Sequence, residues 1–507
     1  MRKPLLVAAV AALSSLVGVV PLSHAQRATT TSTAAPSERP NIVVIMTDDQ
    51  DAASVKYMPH VKELLTERGV KFTQHTVVFP ICCPSRSGYL TGQVGHNNHV
   101  RGNTPPEGGY DNLDTSQTLP VWLSEAGYTT THLGKYPNGY DGHQHPETGG
   151  VPPGYSEWHG ALDPTTYLFY NYVLNENGVD VPHGRTEADY QTDVLTGLAT
   201  DYIDRNAPED APFFLDVAYL APHWEIRPGS TGDVNVGDLE GSSGAESSIG
   251  VPPVPAPRHL GMFANAKAPR GPAFNEEDVS DKPTYVRDMD PLTDGQIDQI
   301  DRWYRKRLAS LQAIDEGIEQ IVNALDESGE LDNTYLIFTS DNGWMQGQHR
   351  ISLQKVRAYT EASVVPLTVI GPGVKQGEKV LDPTSHVDLP ATILDLAGAA
   401  PPASHKLDGM SLAPYLRKPH LRLGRAVFQE TSADEAGYYS VLTGRWKYVE
   451  YNNGDRELYD LVADPYQLTS LHREPSTKPV RQRLAKLIDR FRDCAGEDCV
   501  VTGFSAS

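Results

Sequence analysis

The stretch Cys82-Cys83-Pro84-Ser85-Arg86-Ser87-Gly88-Tyr89-Leu90-Thr91-Gly92 constrains this chain more than any other. Gly88 and Gly92 bracket a segment able to start a helix, with Pro84 near its first turn, where proline is tolerated. A helix N-terminus offers free N–H groups and the positive end of a dipole, so it suits an anion. Arg86 adds a planar cation that can grip a tetrahedral oxyanion through two parallel hydrogen bonds. The bland alternative is a surface turn holding two cysteines. Cys82 and Cys83 are adjacent, and so poor disulfide partners for each other.

The ends of the chain point to export. Arg2 and Lys3 precede an apolar run from Leu5 to Val20, and Ser23-His24-Ala25 fits a small-x-small cleavage site. Residues 1–25 therefore read as a secretory signal peptide cut near Ala25. An uncleaved anchor is the alternative, but the run is short for a bilayer and Pro21 ends it. Residues 26–38 are rich in Thr, Ala, Ser and Pro and read as a flexible leader. The mature protein is then expected outside the cell or in a periplasm, with no membrane span. The chain holds four cysteines. Cys494 and Cys499, in Cys-Ala-Gly-Glu-Asp-Cys, read as a small disulfide loop in an exported protein. A zinc pair is the other reading, and the lack of a nearby Cys or His argues against it. Net charge is −22, and removing Arg2 and Lys3 takes it to −24, which argues against a general nucleic-acid binder. A polyanionic substrate would have to meet a local cluster of Lys, Arg and His.

Apolar β-branched runs alternate with amphipathic stretches, which predicts an α/β fold: a three-layer αβα sandwich around a large mixed, mostly parallel sheet. Residues 41–46 are apolar enough for a strand buried on both faces. They end in Thr47-Asp48-Asp49-Gln50-Asp51, and open sheets bind ligands beyond the carboxyl ends of their strands. Adjacent carboxylates repel, and a bound cation relieves the repulsion. The strand 335–340 runs likewise into Asp341-Asn342-Gly343. Two strand ends with two oxygen donors each favour a hard cation. Ca2+ fits better than Zn2+, with Mg2+ as the alternative.

Further strands are expected over 70–78, 128–133, 212–219 and 365–370, and helices over 58–68, 119–126, 189–205 and 296–325. In the last, Leu308, Leu311, Ile314, Ile318, Ile321 and Leu325 keep the helical period. Residues 95–100 read as a turn carrying His96 and His99. Residues 229–291 are too long for a plain connector and read as a surface insertion. From about Arg425, short strands with turn signals and a helix over 480–491 predict a small C-terminal antiparallel-sheet subdomain. The expected division is 39–418 and 419–507.

Cys82-x-Pro84-Ser85-Arg86 with Leu90-Thr91-Gly92 resembles both halves of the signature of type I sulfatases, alkaline-phosphatase-like enzymes in which the first cysteine is converted to formylglycine (3-oxoalanine). Here that residue is Cys82. The resemblance runs from Arg39 to about Leu471 with the order of motifs intact. It implies Asp48, Asp49, Asp341, Asn342 and the modified Cys82 as cation ligands. It implies Cys82, Arg86, Lys135, His223 and Lys355 as the catalytic set, with Lys135, His223 and Lys355 also holding substrate. Read without the family, Lys135 could be solvated and His223 a packed core residue. Arg357 is a weaker candidate. The family commonly carries a histidine two residues after the first lysine, where this chain has Pro137-Asn138. That form is similar to the subgroup containing N-acetylglucosamine-6-sulfatase. Asn138 can bind substrate by hydrogen bonds but cannot relay a proton as histidine does.

The resemblance implies covalent catalysis in two steps. One hydroxyl of a hydrated aldehyde attacks sulfur and expels the alcohol. The other then loses its proton, and the aldehyde reforms with release of sulfate. The expected function is hydrolysis of a sulfated sugar, with a formylglycine-generating enzyme as maturation partner. Two alternatives stay open. One is a phosphonate or phosphate-diester hydrolase on the same scaffold; the other is a glycan-binding protein in which Cys82 stays a thiol.

Overall fold

The strand β1, Asn41–Thr47, is buried along its whole length. Its side chains alternate between two cores: Val43 and Ile45 enter one, Ile42, Val44 and Met46 the other. That two-sided burial accounts for the unbroken apolar run. The computed structural model describes residues 39–228, 234–235, 248–432 and 437–504. The signal peptide and leader expected over 1–38 lie outside them, as does part of 229–291. Among the described residues no helix is long and apolar enough to cross a membrane.

Ten strands form the main sheet. In chain order they are β1, β2 (Val70–Phe72), β3 (Thr129–Lys135), β4 (Glu157–Ala161), β5 (Val173–Glu176), β6 (Val179–Pro182), β7 (Phe213–Ala218), β8 (Thr334–Ser340), β9 (Leu367–Ile370) and β10 (Glu378–Val380). Their order across the sheet is β10-β2-β9-β8-β1-β7-β3-β4-β5-β6. The central run β8-β1-β7-β3-β4 is parallel, and antiparallel pairs lie toward both edges. The sheet is thus mixed and mostly parallel, as expected. One face packs on α3 (Gln191–Asn206) and α4 (Asp294–Glu327). The other packs on α1 (Cys82–Thr91), α2 (Leu119–Glu125) and α5 (Asp388–Ala397). Of the helical stripe on α4, Leu308 joins a separate cluster around Trp303 and Trp344, and the other five enter the main core.

Two expectations over local structure are corrected. The helix expected over 58–68 is a shorter π-type helix, Val61–Thr66, whose end carries the i to i−5 bond from Glu67 N–H to Lys62 O. The strand expected over 70–78 breaks after β2. Thr73 N–H turns to Val380 O, and His75–Thr76 pairs instead with Thr384–Ser385. The break lets the chain leave the sheet and carry Val77–Ile81 to the start of α1.

Beyond Arg425 a four-stranded antiparallel sheet follows: β11 (Ala426–Glu430), β12 (Tyr438–Thr443), β13 (Trp446–Tyr451) and β14 (Arg456–Asp460). Helix α6, Lys478–Phe491, packs on it, with Phe491 stacked on Phe428 at 4.5 Å. Cys494 and Cys499 are joined in a disulfide. This sheet and the residue before it are tied to the chain before α1 and to the start of α5. Glu430 N–H bonds Val78 O, Gln429 Nε2 donates to Val77 O, and Arg425 pairs in bidentate fashion with Asp388. His96 bridges buried Glu430 and Cys494 O.

Candidate active site

The site grows from neighbouring strands. Thr47 and Ser340 face each other at the ends of β1 and β8, so Asp48-Asp49 and Asp341-Asn342 emerge side by side. Asp341 N–H bonds Thr47 O, and Asp49 N–H bonds Asp341 Oδ1 at 3.0 Å. Asp49 sits in the left-handed region at φ 64, a conformation aspartate tolerates better than most residues. The ends of β3 and β7 place Lys135 and the loop to His223 on the same side.

Helix α1 begins at Cys82, with Ile81 extended before it and Pro84 in its first turn. Gly92 closes the helix at φ 67, where a Cβ would lie 2.5 Å from Leu407. The whole helix is buried, so the surface-turn reading fails. Cys82 Sγ lies 3.5 Å from Asp48 Oδ1 and 3.0 Å from Lys355 Nζ. Burial, with the Asp48 charge, pushes the Cys82 thiol well above its ordinary range, against the pull of Lys135 and Lys355. An unmodified Cys82 is therefore a neutral thiol and a weak nucleophile. Cys83 is also free and buried. Its N–H donates to Asn103 Oδ1, and burial raises its thiol to about 12.

Three carboxylates meet three cations. Arg86 donates from Nε to Asp341 Oδ2 (2.9 Å) and from Nη1 to Lys135 O (2.9 Å), with Nη2 3.5 Å from Asp48 Oδ2. Lys135 Nζ bonds Asp48 Oδ2 and lies over the Tyr167 ring. Lys355 Nζ bonds Asp49 Oδ1 at 2.9 Å and lies over the Trp224 ring. Burial works to raise the Asp48 carboxyl, and Lys135, Arg86 and Lys355 outweigh it and hold it low. For Asp49, burial dominates. Lys355 opposes it, Asp48 and Asp341 reinforce it, and the carboxyl rises to about 6.

One donor set fits a cation. Ligand atoms of Asp48, Asp49, Cys82 and His223 lie within 4.8 Å of one another. Asp49 Oδ2, Asn342 Oδ1 and His223 Nε2 are buried and have no hydrogen-bond partner. Buried oxygen atoms without donors are costly unless a cation meets them. The mostly carboxylate and amide oxygen set matches a hard ion. His223 donates Nδ1–H to Trp224 O, which leaves the Nε2 lone pair facing Asp49 Oδ2 at 3.7 Å. Burial and the two lysines hold its pKa well below the ordinary value, so it is neutral.

Asn138 does not reach this cluster. It is half-buried and donates to the hydroxyl of Tyr167, whose ring lies between Lys135 and His223. Two residues escaped the sequence reading. Tyr167 is one. The other is Arg307 of α4, whose guanidinium donates to Asp49 O and Pro222 O and so clamps the loops bearing Asp49 and His223. Its sequence signal was a charged residue within the buried stripe Tyr304, Leu308, Leu311. The chain 274–291 also serves the site. Arg350 donates to Glu276 O, Glu277 O and Met289 O, and His349 pairs with Glu276 at 2.6 Å, which anchors the loop carrying Lys355.

A ten-stranded mixed sheet that gathers acids and basic groups at the ends of adjacent parallel strands defines the class: an alkaline-phosphatase-like hydrolase fold. Within it the chain belongs to the sulfatase family, whose profile matches residues 40–399. A second profile, the C-terminal part of N-sulphoglucosamine sulphohydrolase, matches residues 347–493. The chain is 32% identical to an arylsulfatase of Volvox carteri over 92% of its length and 76% of the relative's. It is 31% identical to human N-acetylglucosamine-6-sulfatase over 93% of its length and 87% of that enzyme's. A solved structure described as in complex with its substrate D-glucosamine-2-N,6-O-disulfate superposes with a TM-score of 0.70 at 24% identity, covering 90% and 98% of the two chains. The protein is a sulfatase, a sulfuric ester hydrolase.

Proposed function

We propose that this sulfatase is exported and hydrolyses sulfate esters on sugars, using Cys82 as formylglycine and a divalent cation, with Ca2+ the best fit. The observation that carries the reading is the position of Cys82 Sγ, at the start of a buried helix between Asp48 and Lys355. The names of the relatives support a sugar substrate. Asp48, Asp49, Asn342 and Asp341 would hold the cation beside residue 82. When bound, it supplies a Lewis acid for the sulfate oxygens and for the attacking hydroxyl.

The chain's own residues do the rest. Asp48, Asp49 and Asp341 balance Arg86, Lys135 and Lys355 in formal charge, so a divalent cation leaves the pocket positive and receptive to a sulfate monoester. Lys135 and Lys355 then face the oxygens that gain charge as sulfur is transferred, in a site from which water is largely excluded. Arg86 Nε and Nη1 are committed to Asp341 and Lys135 O and hold the pocket's geometry, while its buried Nη2 has no hydrogen-bond partner and is left to donate to a sulfate oxygen. His223, neutral with Nε2 free, accepts a proton more readily than it donates one. It therefore suits deprotonating the second hydroxyl at least as well as assisting the departing alcohol. Asn138 supports Tyr167 and contributes no proton.

The test is a side-by-side assay with an aryl sulfate and an aryl phosphonate, before and after chelation. The sulfate should be favoured by at least about tenfold in kcat/KM, since a difference that small is only about 1.4 kcal/mol. Chelation should remove most of the activity, and Ca2+ should restore it. A preference for the phosphonate would support the alternative hydrolase. Unchanged activity after exhaustive chelation would contradict the cation.

A further inference from the structure

Two residues past Lys355, Arg357 carries a charge that nothing in the established chemistry uses. It is 9% exposed. Its Nε and Nη2 both donate to Gln354 Oε1, at 3.1 and 2.8 Å, and its guanidinium lies 4.7 Å above the ring of Tyr285. A third nitrogen makes one long contact to Val356 O. No carboxylate of the described residues pairs with it. Buried arginines are normally paired, because a lone charge out of water is costly. One amide oxygen and one aromatic face offset only part of that cost.

A second orphan lies beside it. Tyr438, at the start of β12, is 2% exposed, and its hydroxyl has no hydrogen-bond partner. Its ring packs in one cluster with Ala358, Val449 and Tyr451, and Tyr451 in turn contacts Tyr285. Burial and the Tyr285 phenol push the Tyr438 hydroxyl well above its ordinary range, against the pull of Arg357, and Glu457 adds to the rise. The Tyr285 hydroxyl is likewise without a hydrogen-bond partner, whereas Tyr359, Tyr451 and Tyr459 all donate to Glu457. The cluster thus holds, beside the Lys355 loop, a cation with no carboxylate of the described residues paired to it and two unused hydroxyls, while the nearby Glu457 carboxylate is taken up by three other phenols.

We propose that Arg357 and Tyr438 form a second anion subsite, which binds an anionic group of the substrate other than the sulfate being removed. Arg357 would hold a sulfate or carboxylate through its fork of N–H groups, and the Tyr438 hydroxyl would add a hydrogen bond. The C-terminal sheet thereby contributes to substrate choice. The inference rests on the reading of this protein as a sugar sulfatase. The anion could sit on the same ring, as an N- or O-sulfate, or on a neighbouring uronate.

The test compares wild type, Arg357→Gln, Arg357→Lys and Tyr438→Phe on 4-nitrophenyl sulfate, N-acetylglucosamine-6-sulfate, glucosamine-2-N,6-O-disulfate and a uronate-bearing 6-sulfated disaccharide. The readout is kcat/KM for each sugar divided by kcat/KM for the aryl sulfate. In Arg357→Gln this ratio should fall about tenfold or more for one of the two doubly charged sugars, chiefly through KM, and little for the singly charged one. Which of the two responds identifies the anion. Arg357→Lys should recover part of the loss, and Tyr438→Phe should lose about threefold. Equal losses on every substrate would mark a structural role and overturn the subsite, as would an unchanged ratio. Equilibrium binding of the same two sugars to the Cys82→Ala protein, with and without Arg357→Gln, reads the subsite without turnover. Absence of all sulfatase activity in wild type would count against the functional reading. An unchanged Kd would count against the subsite alone.

Discussion

Replacing Cys82 by alanine is expected to abolish turnover of aryl sulfate, with kcat falling at least about 10^4-fold. Among the described residues, the side chain at this position is the only candidate nucleophile that touches both Asp48 and Lys355. Its loss leaves the carboxylates and lysines able to bind a sulfate ester with nothing to attack it. Stability should change little, because only the small polar end of one side chain is deleted from a fully buried helix, at a cost of about 1 kcal/mol. The measurement pairs steady-state kinetics with a thermal melt. Full inactivation with an intact melt is the expected result, and residual activity above about one part in a thousand would point to a nucleophile elsewhere.

The second large effect is expected for Lys355→Met. Among the described residues, Lys355 is the one cation bonded to both Asp49 and Cys82. Its removal takes away charge stabilisation where the transferring sulfate would sit, and kcat/KM should fall about 10^2- to 10^3-fold, the range seen when one preorganised electrostatic donor is lost. It also leaves the Asp49 carboxylate with less compensation in a buried site, and breaking such a pair costs about 3–5 kcal/mol. The variant should therefore melt lower in chelator, and added Ca2+ should recover much of the stability without recovering the activity. Separate recovery of the two would show that Lys355 acts on the substrate as well as on the carboxylates. If Ca2+ restored both together, Lys355 would be a structural counter-ion only.

Much of this architecture was legible because the signals are local. β1 and β8 are buried on both faces, so their apolar runs stand out, and the acids that end them are conspicuous. The start of α1 was readable from Pro84 and Gly92. Other parts depend on distant partners. The strands β4, β5 and β6 are short and crossed by Gly, Asn and Pro, so no run of alternating residues announces them. The chain after β2 leaves the sheet because Val380 and Thr384 offer partners more than 300 residues away. Asn138 was expected at the substrate, and its bond to Tyr167 could not be foreseen from Pro137-Asn138 alone. Arg307 shows the opposite case. A lone charge on a core-facing stripe is visible in sequence, but its targets, two main-chain carbonyls, leave no pattern of their own.

Conversion of Cys82 is the claim on which the mechanism turns, and mass spectrometry of the tryptic peptide 72–86 tests it most directly. The protein should come from its native host and be reduced and alkylated before digestion. The account predicts an aldehyde at Cys82 and alkylation of Cys83 alone. If both cysteines were alkylated, the site would hold two neutral thiols and no competent nucleophile, and the formylglycine mechanism would be contradicted.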